Sequence, residues 1–177
     1  MALTSHSYGT VDALDDGRWR LHFTRTLHHP VERVWRAVTE PGHLAAWFPS
    51  TIEGQRRTGA RLRFDFPNGE AAAFAGEVIA FDPPHAFEFL WGTDLVRIEL
   101  REFEGGTVLT LLDTLDERGK AARDGAGWHC CLDALETALD GNADAHHTPT
   151  AWSALHPGYV ERFGPEGSSI GPPDGAA

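Results

Sequence analysis

The sequence has a single lysine, Lys120, and 15 basic residues against 26 acidic ones, for a formal net charge of −11. A nucleic-acid binder needs a basic footprint, and none is visible. Anionic membrane surfaces are disfavoured for the same reason, and the acidic surplus serves solubility. Cysteine is also scarce. Cys130 and Cys131 are the only two. They are neighbours, their side chains diverge on a helix, and they form no CxxC. No disulfide framework follows, so a reducing compartment fits. No apolar run approaches the ~20 residues that a membrane span needs. The opening MALTSHSYGT lacks the basic and apolar regions of a signal peptide. A soluble cytoplasmic protein is expected. Neither GxGxxG nor GxxxxGK[ST] occurs, so no nucleotide-cradling loop is indicated. The ten histidines include pairs at 28–29 and 146–147, without i, i+4 spacing or a joining carboxylate or thiolate pattern. No metal and no cofactor are expected.

What the sequence does have is alternation. In RWRLHFTRTL (18–27), Trp19, Leu21, Phe23 and Leu27 share one face, opposite Arg18, Arg20, His22 and Thr24. Period two predicts a half-buried strand. DDG at 15–17 is a turn, and YGTVDAL before it offers the second arm of a hairpin. Pro30 then opens a helical pattern, with Val31, Val34, Trp35 and Val38 on one face. Pro41 stops it and starts a second short helix carrying Leu44, Trp47 and Phe48, which Pro49 ends. Helices this short are marginal alone, so these residues must dock on something larger.

Further strands are predicted over 60–66, 71–82 with a bulge at Gly76, 85–91, 94–103 and 107–115, joined by short turns. Short turns between successive strands mean an antiparallel meander. A Gly-rich link (116–127) leads to the longest helix, GWHCCLDALETAL, with Trp128, Cys131, Leu132, Leu135 and Leu139 on one stripe. It should lie across the sheet. The chain fits one domain (1–140, core 18–140) plus an extension (141–177). Within the extension 151–164 is expected as a docked helix, possible clasp of a homodimer, and 165–177 as disordered.

Five stretches, HHPVERVWRAVTEPGHLAAWF, GARLRFDFPNGE, GEVIAFDPPHAFEFLWG, GGTVLTLLDT and GWHCCLDALETAL, stand in order. Together they resemble the SRPBCC (START-like) superfamily, in the family named for the C-terminal domain of the activator of the heat-shock protein 90 ATPase. The resemblance is to a bacterial single-domain member. It implies an α+β helix-grip (START/Bet v-like) fold: a curved antiparallel sheet around a long C-terminal helix, two short helices closing one end, and a cavity between. It departs at Asp113, where many members carry a histidine, and in the extension after residue 140.

On that fold, Trp35, Trp47, Phe48, Phe64, Phe74, Phe87, Phe89, Trp91, Ile98, Leu111, Trp128, Leu132 and Leu135 are candidate wall residues for a small hydrophobic or aromatic ligand. Trp47 and Phe48 would plug or gate the mouth. The bland reading of the same residues is a filled core, since each large buried side chain contributes ~1.5–3 kcal/mol. Asp113 shares a face with Leu109 and Leu111. It either sits at a solvated edge, pairs with an arginine, or orients a ligand. Arg63, Asp65, Arg97 and Arg101 read as solvated. Three functions compete: a non-catalytic binder of a hydrophobic molecule, a polyketide cyclase/dehydratase-like enzyme with Asp113 as its acid or base, and a stress-related co-chaperone. The family's eukaryotic activators carry a further N-terminal domain that contacts the chaperone, so a chaperone partner is not expected here.

Overall fold

Alternation and turn chemistry build an eight-stranded antiparallel sheet in order β1-β2-β8-β7-β6-β5-β4-β3. The computed structural model describes residues 8–141 and 149–172; the pair His146–His147 and residues 173–177 lie outside the described residues. β1 (Thr10–Ala13) and β2 (Trp19–Leu27) form the expected hairpin across the 15–17 turn. The meander follows as β3 (Thr51–Glu53), β4 (Arg61–Asp65), β5 (Phe74–Asp82), β6 (Ala86–Trp91), β7 (Asp94–Phe103) and β8 (Gly106–Leu115). The short β3 has no counterpart in the sequence reading. β2 closes back on β8, with Leu21 opposite Asp113 and Phe23 opposite Leu111. The inner row of β2 contains Leu21, Phe23 and Leu27, and also Arg25, which is buried and reaches Asp133 at 3.5 Å.

Helix α1 (Val31–Thr39) starts after Pro30 and buries Val31, Val34 and Val38. It ends because Pro41 drives Glu40 out of the helical region, to φ −81° and ψ 131°. α2 (Pro41–Leu44) lasts barely a turn; Trp47 and Phe48 continue it through turn-type bonds to the Leu44 carbonyl. These helices carry the chain from β2 to the opposite edge of the sheet, and α1 touches β7, β8 and the long helix.

The long helix α3 (Ala121–Leu139) begins earlier than the sequence predicts, so residues 121–127 are helix rather than link. A mid-helix glycine costs ~1 kcal/mol against alanine. Gly125 is tolerated because the Tyr159 ring lies 3.0 Å from where its Cβ would stand. Packing here overrides propensity. Tyr159 belongs to α4 (Pro149–Phe163), the expected docked helix, which packs on α3. α3 is therefore covered on two sides, by the sheet and by α4, and His129, Cys130 and Ala134 are buried along with the predicted stripe. Burial pushes both thiols up, Cys130 to about 11, so neither is a ready nucleophile.

The expectation of disorder from residue 165 is corrected for 165–172. Pro165–Gly167 forms a 3₁₀ turn, Glu166 pairs with Arg118, and the Ile170 N–H donates to the Gly119 carbonyl at 3.1 Å. These bonds fasten a polar segment that composition alone reads as loose. No helix among the described residues is long and apolar enough to cross a membrane.

The segment before β1 meets α3 and α4 at one hydroxyl. Tyr159 Oη accepts the Gly9 N–H at 2.9 Å and lies 2.9 Å from His129 Nδ1. Removing it orphans a buried donor, at about 1–3 kcal/mol. Tyr159→Phe should therefore lower the thermal midpoint by several degrees without altering the circular dichroism spectrum. An unchanged midpoint would show that α4 is not an integral part of the fold.

Candidate functional site

The inner faces of β4, β5 and β6 carry Phe64, Phe74, Phe89 and Trp91 because alternation points them at the core. α3 brings Trp128 over them, and the turn after α2 adds Phe48. Phe48 lies edge-on to Trp91 at 5.1 Å and to Phe89 at 6.1 Å, and 5.8 Å from Trp128. Trp91 also meets Phe64 at 4.7 Å and Phe74 at 4.9 Å. Offset edge-to-face pairs of this kind each contribute ~0.5–1.5 kcal/mol beyond simple burial. The backbone makes room for them at Gly76, where a Cβ would stand 2.3 Å from the Leu90 carbonyl oxygen and 2.5 Å from the Phe64 ring. The sheet's register shift falls at Val78–Ala80 instead of at Gly76.

Of the predicted wall residues, Phe48, Phe64, Phe74, Trp91 and Trp128 form this cluster, and Phe87 and Phe89 extend it. Phe66, missed by the sequence reading, joins at Trp91. Trp35 is displaced. It packs on Phe81 at 5.3 Å and reaches the cluster only through Phe81 and Phe87. Ile98, Leu111, Leu132 and Leu135 are ordinary buried core. The rings expected to line a cavity stand 4.7–6.1 Å apart in this cluster. Two open hollows lie elsewhere, one on the outer sheet face around His85, Arg97 and Thr110, the other between β1 and Arg162. No predicted wall residue lines either. Arg63 pairs with Asp65, and Arg97 with Glu99 and Glu88, all on the outer face as expected.

Trp47 and Phe48 differ in how they are held. Trp47 is 1% exposed, and its indole N–H donates to the Ala37 carbonyl at 2.9 Å. Arg56 fixes the same end of α1, donating to the carbonyls of Thr39, Gly54 and Ile52 at 2.8–3.0 Å. The Phe48 ring, which can make no such bond, packs against Trp47, Phe89, Trp91 and Trp128.

Asp113 is not at a solvated edge, and no arginine pairs with it. β8 lies between β2 and β7, so an inward residue there is deeply buried. Its Oδ2 accepts the Trp128 Nε1–H at 2.7 Å, while Oδ1 is buried with no hydrogen-bond partner. Desolvation raises its pKa well above the usual carboxylate range, and the nearby Asp94 and Asp124 charges add to the effect. Those two were missed in the sequence, although the signal was there. Asp94 begins the inner alternation of Val96, Ile98 and Leu100, and Val96 is the β7 partner of Asp113. Asp124 precedes Trp128 by four residues on α3, one helical turn. Lys120 Nζ bonds Asp94 at 2.9 Å and also Asp116; Arg123 bonds Asp124 at 2.7 Å.

A family model described as Activator of Hsp90 ATPase homolog 1-like protein matches residues 28–140. Among solved structures, EF2215 of Enterococcus faecalis, a conserved protein of unknown function, superposes with TM-score 0.73 at 18% identity, over 88% of this chain and 90% of that one. CalU16 of Micromonospora echinospora gives 0.70 at 19%, over 90% and 99%. DynU16, a protein of the dynemicin biosynthetic locus, gives 0.64 at 28%, over 72% of this chain and 49% of its own. No curated protein matches. The first two likenesses concern the fold alone: the helix-grip fold of the SRPBCC superfamily.

Asp113→Asn keeps an oxygen for the Trp128 N–H and turns amide donors towards the Asp94 and Asp124 oxygens. It also removes a buried ionisable group. It should stabilise the protein by about 1–3 kcal/mol, measured by thermal or urea unfolding at neutral pH in EDTA. Destabilisation of that size would mean that Asp113 is held as a compensated charge.

Proposed function

The chain belongs to the Activator of Hsp90 ATPase homolog 1-like family, and from that premise we propose that it binds a small apolar, planar aromatic molecule without transforming it. The ligand's place is the ring cluster of Phe48, Phe64, Phe74, Trp91 and Trp128. The single observation that carries this reading is the contrast between the two adjacent aromatics of the α2 turn. Trp47 is pinned by a hydrogen bond to the Ala37 carbonyl, whereas Phe48, which can make no such bond, packs against rings.

A ring packed against rings can be exchanged for another ring at little cost. The stacking that Phe48 gives up as it swings out is restored by the incoming ligand, and no buried hydrogen bond is broken. The rest of the wall stays put. β4, β5 and β6 are laddered together, Trp128 is fixed by Asp113, and Arg56 holds the end of α1. Phe48 is thus the gate and Trp47 its pin. Asp113 acts as a positioning residue: it sets the plane of the Trp128 indole. The wall is almost wholly apolar, so affinity comes from burial and stacking, and selection is by shape and planarity. DynU16, at 28% identity, is a protein of the dynemicin biosynthetic locus, and a place in biosynthesis agrees with a small-molecule ligand here.

Titration with a neutral polycyclic fluorophore such as N-phenyl-1-naphthylamine tests the reading. Saturable binding should quench tryptophan emission. The quenching should be weaker in a Trp91→Phe, Trp128→Phe double variant than in a Trp19→Phe, Trp152→Phe one. Phe48→Ala, which opens the gate, should tighten binding by about tenfold, since a benzene-sized void in an apolar core takes up apolar guests. No saturable binding, or quenching that depends on Trp19 and Trp152, sinks the proposal. Turnover of a bound substrate that disappears in Asp113→Asn would replace it with a cyclase/dehydratase-like enzyme.

A further inference from the structure

Next to the ring cluster, three carboxylates converge from three different elements. Asp94 opens β7, Asp113 stands in the inner row of β8, and Asp124 lies in the first turn of α3. One oxygen of each lies within 4.8 Å of the other two. Asp94 and Asp113 are buried and Asp124 is partly so. Acidic side chains often share a surface without consequence. Here one of them is 1% exposed, with an oxygen, Oδ1, that has no hydrogen-bond partner. A buried acceptor left in that condition needs a counterpart.

Charge narrows what the counterpart is. Three carboxylates face two cations, Lys120 and Arg123, and Lys120 is shared with the exposed Asp116 outside the cluster. Lys120 and Arg123 bond Asp94 and Asp124, and Asp113 Oδ1 has neither of them. The donor set is oxygen only, without thiolate or imidazole, which selects hard cations over zinc or copper. The oxygens lie within 4.8 Å of one another, which calcium–oxygen distances of ~2.3–2.6 Å can span. Magnesium demands a stricter octahedron, keeps several waters and is seldom held by an all-protein cage.

We propose that Asp94, Asp113 and Asp124 form a binding site for a hard divalent cation of calcium size, bridging β7, β8 and the first turn of α3. The proposal does not depend on the ligand reading above. Bound there, the ion ties α3 to the sheet beside Trp128, and Asp124, the least buried of the three, marks the entry side. Water completes the coordination shell, because three carboxylates fall short of the ~6–8 oxygens that calcium takes.

The test uses the full chain, stripped with EDTA and exchanged into chelator-free buffer. Calorimetric titration with calcium, magnesium and manganese chlorides should show one site per chain, filled most tightly by calcium, with a matching rise in thermal midpoint. Asp113→Asn and Asp124→Asn should each weaken calcium binding at least tenfold, while Asp65→Asn, on the outer face, leaves it unchanged. Terbium luminescence gives the location. It should be sensitised by the neighbouring Trp128, displaced by calcium, and lost in Asp124→Asn. Loss of binding in Asp113→Asn cannot be mistaken for unfolding if that variant melts at or above the wild-type temperature; Asp124→Asn serves if it does not. The proposal is overturned if none of the three salts binds, or if both variants bind as wild type does. Tracking of midpoint and Oδ1 protonation with pH alone, without any metal effect, would mean that a proton is the counterpart.

Discussion

The bond between the Trp128 indole and the Asp113 carboxylate decides where α3 lies. A helix resting on a sheet through apolar contacts alone can slide, because burial has no direction. One buried hydrogen bond at 2.7 Å adds the direction that burial lacks. The helix's rotation aims Trp128 at Phe48 and Trp91. Its height places Asp124 opposite Asp94. The ring cluster and the acidic cluster meet at this one contact.

The second fastening is on the far side of α3. Tyr159 spends its ring on Gly125 and its hydroxyl on Gly9 and His129. The extension beyond residue 140 is thereby part of the same body: it covers the face of α3 that the sheet leaves bare. The backbone of the α2 turn is closed by turn-type bonds from His43 to Phe48, and the Trp47 indole adds one more to the Ala37 carbonyl.

Much of this was legible in the residues, and the reasons for the rest are physical. Period-two alternation exposed most strands, and prolines 30 and 41 bracketed α1, because both signals are local. β3 escaped because three residues cannot display a period. The start of α3 escaped because Gly125 and Gly127 read as a break until the Tyr159 ring is seen lying on the first of them. The aromatic set was found, but its packing was not, since sequence gives the number of rings and not the volume left between them. Asp113 was singled out while its companions were not. Asp94 and Asp124 come next to it only through strand register and helix rotation, which are tertiary facts. Trp35 was misplaced by the same limitation: its helical face was right, and its neighbours were decided by the sheet's curvature.

The sheet order has a consequence during synthesis. β2 pairs with β8 from Leu27↔Thr107 to Trp19↔Leu115, separations of 107 − 27 = 80 and 115 − 19 = 96 residues. β3 to β8, by contrast, each pair with the next strand along the chain. The meander can therefore zip up locally, while β2, with its buried-to-be Leu21, Phe23 and Arg25, waits as a sticky ribbon until its mate emerges. On the ribosome that wait lasts ~4–20 s at ~5–20 residues per second, and over that interval the nascent protein is most in need of a chaperone's shelter.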